Sequence, residues 1–181
     1  MGFMLTEIQT AIRDTVRSFA QETILPHSVR FEAEGGYPPE LFEEMAGLGL
    51  WGMTAPESYG GAEADAVSYA LALIELAAAD GALSTIVSIQ NSILVSGLLK
   101  DGSEAQKARF LPDLIGGRTI GAFALTEADA GSDASAVRTR ATKVDGGWRI
   151  NGSKQFITSG KIAGLVMVAA VPDPDAGKKG L

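Results

Sequence analysis

The sequence predicts an α+β fold in which an N-terminal all-α domain, residues 1–116, precedes a partial antiparallel β domain, residues 117–181. Two observations lead to this prediction. In the first two-thirds of the chain, apolar residues recur at three- and four-residue spacing, which is the period of a helix face. From about Thr119 onward, short apolar runs alternate with turn residues, as in strands and hairpins. Because helices come first and strands follow, we expect two segregated modules.

Composition narrows the possible functions. The 181 residues carry 22 acidic and 15 basic side chains, and a net charge of −7 argues against nucleic acid as a partner. The absence of cysteine excludes disulfides and thiolate chemistry, and the single histidine, His27, makes a metal site unexpected. We find no signal-peptide pattern, and the longest unbroken apolar run, Leu165–Val171, is too short to cross a bilayer. We therefore expect a soluble cytoplasmic protein without membrane association.

The N-terminal third contains two predicted helices and a loop. Thr6 and Gln9 form a capping-box pattern at the start of the first helix, and Pro26 should end or kink it. A second helix is expected over Pro39–Leu48, with the proline in its first turn. The run Ala55–Gly61 is rich in turn residues and predicts a loop. The first helix should bury one apolar face, which consists of Leu5, Ile8, Ile12, Val16 and Phe19.

Two segments in the middle of the chain are apolar nearly all round. Tyr69–Ala79 contains a single charged residue, and Leu83–Leu99 contains none. Helices without a polar face are typical of a protein interior, so we expect these two to pack against each other. Ser103 and Gln106 form a second capping-box pattern, which should open a helix that ends near Pro112.

The remaining chain contains five candidate strands. Asp145-Gly146 suits a two-residue hairpin turn, and Trp148 on the return strand is expected to serve hairpin packing. A polar loop is expected from Pro172 to Lys179. The candidate strands are Ile120–Leu125, Val137–Val144, Trp148–Asn151, Gln155–Thr158 and Leu165–Val171.

The segment from Ile120 to Ser132 is the most informative part of the sequence. A predicted strand leads into Thr126 and Glu127, and an Ala-Gly-Ser-Asp turn follows. A hydroxyl at a strand end and a tight Gly-Ser turn can offer oxygens and backbone N–H groups to a flat heterocycle and a diphosphate. Alone, such a turn is common on protein surfaces. Its specificity comes from Phe123–Glu127 before it and from Asn151–Gly160 downstream.

Together these two segments resemble the acyl-CoA dehydrogenase family of flavoenzymes. The resemblance extends over nearly the whole chain, because Ala55–Gly61 and the helix ending Phe110–Leu114 are similar to the N-terminal helical domain of that family. It implies FAD as cofactor and the α,β-dehydrogenation of acyl-CoA thioesters to trans-2-enoyl-CoA. It further implies an electron-transferring flavoprotein as electron acceptor and a homo-oligomeric full-length protein.

The resemblance also implies which residues bind the cofactor. Thr126 would meet the polar edge of the flavin, Thr158 would direct its hydroxyl toward N5, and Gly131 would let the backbone approach the diphosphate. Phe156 stands where many relatives carry Trp, so it keeps an aromatic wall but cannot donate an indole hydrogen bond. Ser132 would also contact the acyl-CoA. The full set expected to contact FAD is Phe123, Ala124, Leu125, Thr126, Gly131, Ser132, Phe156, Ile157 and Thr158.

Four charged residues, three of them in or next to these motifs, have explanations other than catalysis. Glu127 is expected to accept hydrogen bonds from nearby amides, and Glu75 is expected to be solvated or paired. Lys154 and Lys161 are interpreted as exposed strand charges. None of the four is therefore assigned a catalytic role.

The resemblance places the catalytic glutamate in a second helical domain that would follow the sheet. The sequence ends at Leu181 before such a domain, so we assign no catalytic residue and expect the isolated chain to show weak or no turnover. Two alternatives remain open. One is a non-catalytic flavin- or CoA-binding fragment or subunit that needs a C-terminal partner. The other is a related flavin-dependent monooxygenase or oxidase.

Overall fold

The computed structural model describes residues 4–172. They belong to two compact units, Met1–Thr119 and Ile120–Leu181, and the predicted α+β fold class is confirmed. The predicted polar loop lies outside the described residues from position 173 onward. The helices are α1 Glu7–Phe19, α2 Ser28–Glu34, α3 Pro39–Gly47, α4 Ala66–Ala79, α5 Gly81–Ile89, α6 Ser96–Asp101 and α7 Glu104–Ile115. The strands are β1 Gly121–Ala124, β2 Arg140–Val144, β3 Gly147–Asn151 and β4 Leu165–Val168.

Both predicted capping boxes are present. The Gln9 backbone N–H donates to the Thr6 hydroxyl, and the Gln9 side chain accepts from the Thr6 N–H at 3.0 Å. Ser103 and Gln106 make the same reciprocal pair at the start of α7. That helix continues through Pro112 to Ile115, beyond its predicted end. A proline in the last turn has no backbone N–H, so the helix loses only one of its hydrogen bonds there.

Helix α1 buries less of its predicted face than expected. Val16 is buried, but Ile8 is 71% exposed, and the polar Gln9 is buried because its amide donates to Asp65 at 3.0 Å. Two hydrogen bonds of 2.7 and 2.9 Å join Arg17 on α1 to the buried Glu75 on α4. Pairing of Glu75, one of its two expected states, is therefore observed.

The chain runs as one helical stretch from Gly81 to Asp101, with a π-helical segment at Gln90–Val95 between α5 and α6. This stretch packs against α4 as predicted, and the Ser84 hydroxyl donates to the Leu73 carbonyl at 3.0 Å. By length and composition alone it is apolar enough to cross a membrane. Half of it is buried within the helical unit, however, which is typical of a core helix.

Within residues 120–172, the β unit contains two strand pairs. Strands β2 and β3 form the predicted hairpin around Asp145-Gly146, with Thr142 opposite Arg149. Strands β1 and β4 pair in parallel, with Gly121 opposite Leu165, which differs from the predicted antiparallel sheet. A long connection separates β1 from β4, and such a connection allows the chain to return in the same direction, whereas a two-residue turn does not.

The predicted strand Gln155–Thr158 is wrong. This segment is a turn, because Phe156 has φ +56° and Ser159 has φ +62°, both in the left-handed region that interrupts an extended chain. A non-glycine residue in this region is uncommon, and strained backbone of this kind concentrates at functional sites.

Candidate functional site

The two segments singled out in the sequence lie side by side within the β unit. The Gln155 backbone N–H donates to the Thr126 carbonyl at 2.9 Å, and the Gln155 side chain donates to the Glu127 carbonyl at 3.2 Å. Thr126, which follows strand β1, therefore lies next to Gln155 at the start of the turn that contains Phe156. The candidate cofactor residues of both segments are brought together by these contacts.

Glu127 is a buried carboxylate that accepts several hydrogen bonds in this region. Its buried carboxylate accepts hydrogen bonds from the backbone N–H groups of Arg138 and Thr139 at 2.7 and 2.9 Å, and from the Thr139 hydroxyl. It also accepts from the Lys154 ammonium at 2.8 Å. Burial would raise the pKa of Glu127, but these hydrogen bonds outweigh it and lower the pKa to about 2. The carboxylate is thus an acceptor of amide hydrogen bonds, as predicted, and a poor proton acceptor.

Lys154 is not the exposed strand charge that the sequence suggested. Only 11% of its side chain is exposed, and its ammonium lies between the Glu127 carboxylate and the Leu125 carbonyl, each at 2.8 Å. Sequence reasoning missed this contact because the partners lie 27 and 29 residues apart, beyond any local pattern. The available signal was the position of Lys154 inside a motif already marked for function.

Several polar groups in the paired segments have no partner within residues 4–172. Neither the hydroxyl nor the backbone N–H of half-buried Thr126 makes a hydrogen bond there, and the Thr158 hydroxyl makes none either. The Ser159 hydroxyl is buried and also unsatisfied within the described residues. Buried polar groups are normally hydrogen-bonded, so this cluster of free donors suits a ligand with a polar edge.

Gly131 lies in the exposed turn after Glu127. A Cβ placed on Gly131 would meet no protein atom within 4 Å, so packing does not explain why glycine stands there. At Gly152, by contrast, a Cβ would lie 2.3 Å from the Thr139 hydroxyl oxygen, which explains that glycine fully. The open space at Gly131 fits a backbone that a ligand approaches closely. The neighbouring Ser132 is exposed on the same turn.

Phe156 is 87% exposed, so its ring is not part of the protein core. Ile157 and Thr158 after it are half-buried. In β1, Ala124 is buried while Phe123 remains partly accessible, as does Leu125 directly after the strand. The sequence-predicted residues thus include accessible apolar surface, and hydroxyls without a partner in residues 4–172, on two adjoining segments. Together these groups can contact a flat, partly polar ring.

A helical unit followed by a β unit defines a protein of the α+β class. Comparison with family models gives a match to the acyl-CoA dehydrogenase N-terminal domain over residues 6–118. Residues 122–181 match the acyl-CoA dehydrogenase middle domain. The chain belongs to the acyl-CoA dehydrogenase family.

Individual relatives agree with this assignment. An acyl-CoA dehydrogenase of Bacillus subtilis is 41% identical over 98% of this chain and 47% of its own length. The structure of butyryl-CoA dehydrogenase from Megasphaera elsdenii matches with a TM-score of 0.90 and 39% identity, covering 98% of this chain and 47% of that one. A glutaryl-CoA dehydrogenase from Mycobacterium smegmatis in complex with FADH2 matches with a TM-score of 0.89 and 38% identity, over 93% and 44% of the two chains. The chain thus spans about half the length of its relatives.

Proposed function

We propose that this chain forms the FAD-binding part of an acyl-CoA dehydrogenase that converts acyl-CoA thioesters to trans-2-enoyl-CoA. The observation that carries the proposal is the hydrogen bond between Gln155 and Thr126, which joins two segments whose threonine hydroxyls have no partner among the described residues. Family membership supports it, as does the FADH2 named with one structural relative.

In this proposal each residue has a distinct role. Thr126 and Thr158 donate hydrogen bonds to the polar atoms of the flavin, and Phe156 covers part of its apolar face. Gly131 leaves room for the diphosphate, and Ser132 contacts both that group and the acyl-CoA. When bound, FAD supplies the redox chemistry by accepting the hydrogens that the acyl chain loses.

The catalytic base is proposed to lie outside residues 4–172. A base must be free to accept a proton, but the two buried carboxylates of these residues, Glu75 and Glu127, are both committed to ion pairs. The hydrogen bonds from Arg17 lower the pKa of Glu75 against the effect of burial, so it too is a weak proton acceptor. We propose that a polypeptide of these 181 residues binds FAD but turns over little substrate. In the whole protein, a homo-oligomer would pass electrons to an electron-transferring flavoprotein.

Titration of the chain with FAD, followed by flavin fluorescence anisotropy, tests the binding step. Thr126→Val and Thr158→Val each remove one hydrogen bond and should weaken binding by about fivefold to tenfold. Thr142→Val provides the matched control, because Thr142 is exposed on β2, and should bind FAD as the unaltered chain does. Failure of the unaltered chain to bind FAD, or equal affinity in all three variants, would contradict the proposal.

Octanoyl-CoA with an artificial electron acceptor tests the assignment of the base. We expect little dye reduction by the 181-residue polypeptide and restored reduction after a C-terminal helical domain of a relative is supplied. Steady reduction by the polypeptide alone would place the base within it. Consumption of oxygen in place of dye reduction would favour the monooxygenase or oxidase alternative.

A further inference from the structure

The proposed function gives no role to Lys154, although only 11% of its side chain is exposed. Lys154 lies on the second segment, immediately before the turn with Phe156, and its ammonium reaches across to the first segment. It holds both a carbonyl and a carboxylate there, each at 2.8 Å. A buried ammonium is costly unless it is paired and hydrogen-bonded, so this placement needs an explanation beyond solubility.

The two partners of Lys154, Leu125 and Glu127, are the residues directly before and after Thr126. The Leu125 carbonyl belongs to the peptide whose N–H is carried by Thr126, and Glu127 follows Thr126 directly. Beside the ammonium, the Gln155 N–H binds the Thr126 carbonyl itself at 2.9 Å. Lys154 and Gln155 thus form hydrogen bonds with each of the three consecutive residues 125–127.

The contact with the Leu125 carbonyl has an electronic consequence. A cation on a peptide oxygen draws electron density along the amide and makes the N–H at the other end a stronger donor, since linked hydrogen bonds polarise one another. That N–H, on Thr126, has no acceptor within residues 4–172. It is therefore both fixed in position and strengthened for an acceptor that the described chain does not supply.

We infer that the Lys154–Glu127 ion pair is a positioning device that sets the register of the two segments and strengthens the Thr126 N–H for the flavin. The inference rests on the proposed function for the identity of the acceptor. The register itself follows from the contacts alone. Lys154 is thus a positioning residue that acts through the Leu125–Thr126 peptide.

The test compares Lys154→Met with Lys154→Arg and with Lys161→Met. Lys161 is exposed and forms no ion pair with the described residues, so it controls for loss of one positive charge near the site. We expect Lys154→Met to weaken FAD binding by about tenfold or more, Lys154→Arg to recover part of the loss, and Lys161→Met to leave it unchanged. The flavin midpoint potential of Lys154→Met should become more negative, because reduced flavin carries the charge that a strengthened donor stabilises.

A second variant covers the case in which Lys154→Met fails to fold because Glu127 is left buried without a partner. The double variant Glu127→Gln with Lys154→Met removes both charges together and should fold, since no uncompensated buried charge remains. If the ion pair positions the site, this double variant should bind FAD less tightly than the unaltered chain does. Affinity and potential equal to those of the unaltered chain in this double variant would overturn the inference.

Hydrogen exchange measured without FAD separates the two proposals. Residues 152–158 should exchange faster in Lys154→Met than in Lys161→Met, whatever the ligand is. If the unaltered chain does not bind FAD but this difference appears, the register role stands and the proposed function fails. If FAD binds and neither exchange nor affinity responds to Lys154, the proposed function stands and the inference is wrong.

Discussion

At the scale of single residues, we expect a substitution of Gly131 to change FAD binding without lowering the stability of the fold. Open space surrounds its missing side chain, and its φ is not in the left-handed region, so Gly131→Ala should leave the free energy of unfolding unchanged or raise it by about 0.4–1 kcal/mol. The added methyl should occupy space needed by the diphosphate and weaken FAD binding by about tenfold. Urea unfolding and an FAD titration of the same variant measure the two effects.

Gly152→Ala is the matched comparison for that substitution. Its methyl would collide with the Thr139 hydroxyl oxygen at 2.3 Å, so this variant should lose stability. If Gly131→Ala destabilises the protein as much as Gly152→Ala does, Gly131 is required by the fold and its proposed role is wrong.

Glu127 gives the molecule a defined acid sensitivity. Because its pKa falls from 4.5 to about 2 on folding, its stabilisation is complete above pH 4.5 and is lost as the pH falls toward 2. Glu127→Gln should therefore reduce stability at pH 7, by about 3 kcal/mol or more because Lys154 loses its partner, and should flatten the acid limb of the profile. Urea midpoints measured across this pH range give the test. Parallel profiles for the two proteins would show that Glu127 does not control the acid limb.

The residue scale also shows what sequence can and cannot reveal. Thr126 and Gly131 belong to a contiguous motif, so the resemblance of that motif to a known family was enough to propose a role for them. The burial of Lys154 depends on a carbonyl and a carboxylate that only folding brings within reach. Phe156 is exposed at a left-handed backbone position, a conformation that an aromatic residue in the sequence does not suggest.

At the scale of elements, the π-helical segment after α5 is held by buried amides. The Asn91 side chain accepts from the Met53 N–H at 2.7 Å and donates to the Leu50 and Val87 carbonyls at 2.8 and 2.9 Å. Asn91→Leu keeps a similar volume but leaves Met53 and Leu50 without partners, so it should cost at least about 2 kcal/mol of unfolding free energy. Urea unfolding followed by circular dichroism provides the measurement.

Ser92→Ala controls for that substitution, because Ser92 is exposed and its hydroxyl bonds only the Ser88 carbonyl of its own helix. It should shift stability by less than about 0.5 kcal/mol. Equal costs at positions 91 and 92 would mean that the Asn91 amide does not hold the π-helical segment.

Helices and hairpins could be predicted from the sequence where contacts between residues close in the chain determine them. Capping boxes at Thr6 and Ser103 start helices by contacts within one turn, and both are present. The Asp145-Gly146 hairpin is equally local. The parallel partnership of β1 and β4 joins strands that a long connection separates, and no short-range pattern encodes its direction.

At the scale of the whole molecule, the two units have unequal cores. The largest fully buried side chains of the described residues, including Trp51, Leu83 and Leu111, all lie in the helical unit. The β unit buries a small cluster of Ala130, Val137 and Val171, and each of its sheets has two strands within residues 120–172. Two-stranded pairs with little apolar burial are marginal in water.

We therefore expect the β unit to open at a lower free energy than the helical unit. In hydrogen-exchange mass spectrometry, peptides from residues 120–172 should exchange well before those from α4, α5 and α7. FAD should slow exchange at residues 123–132 and 154–158, because a ligand that binds only the folded state stabilises it in proportion to its saturation. One common exchange rate for both units would mean that they unfold as a single cooperative body, and protection confined to the helices would place the ligand elsewhere.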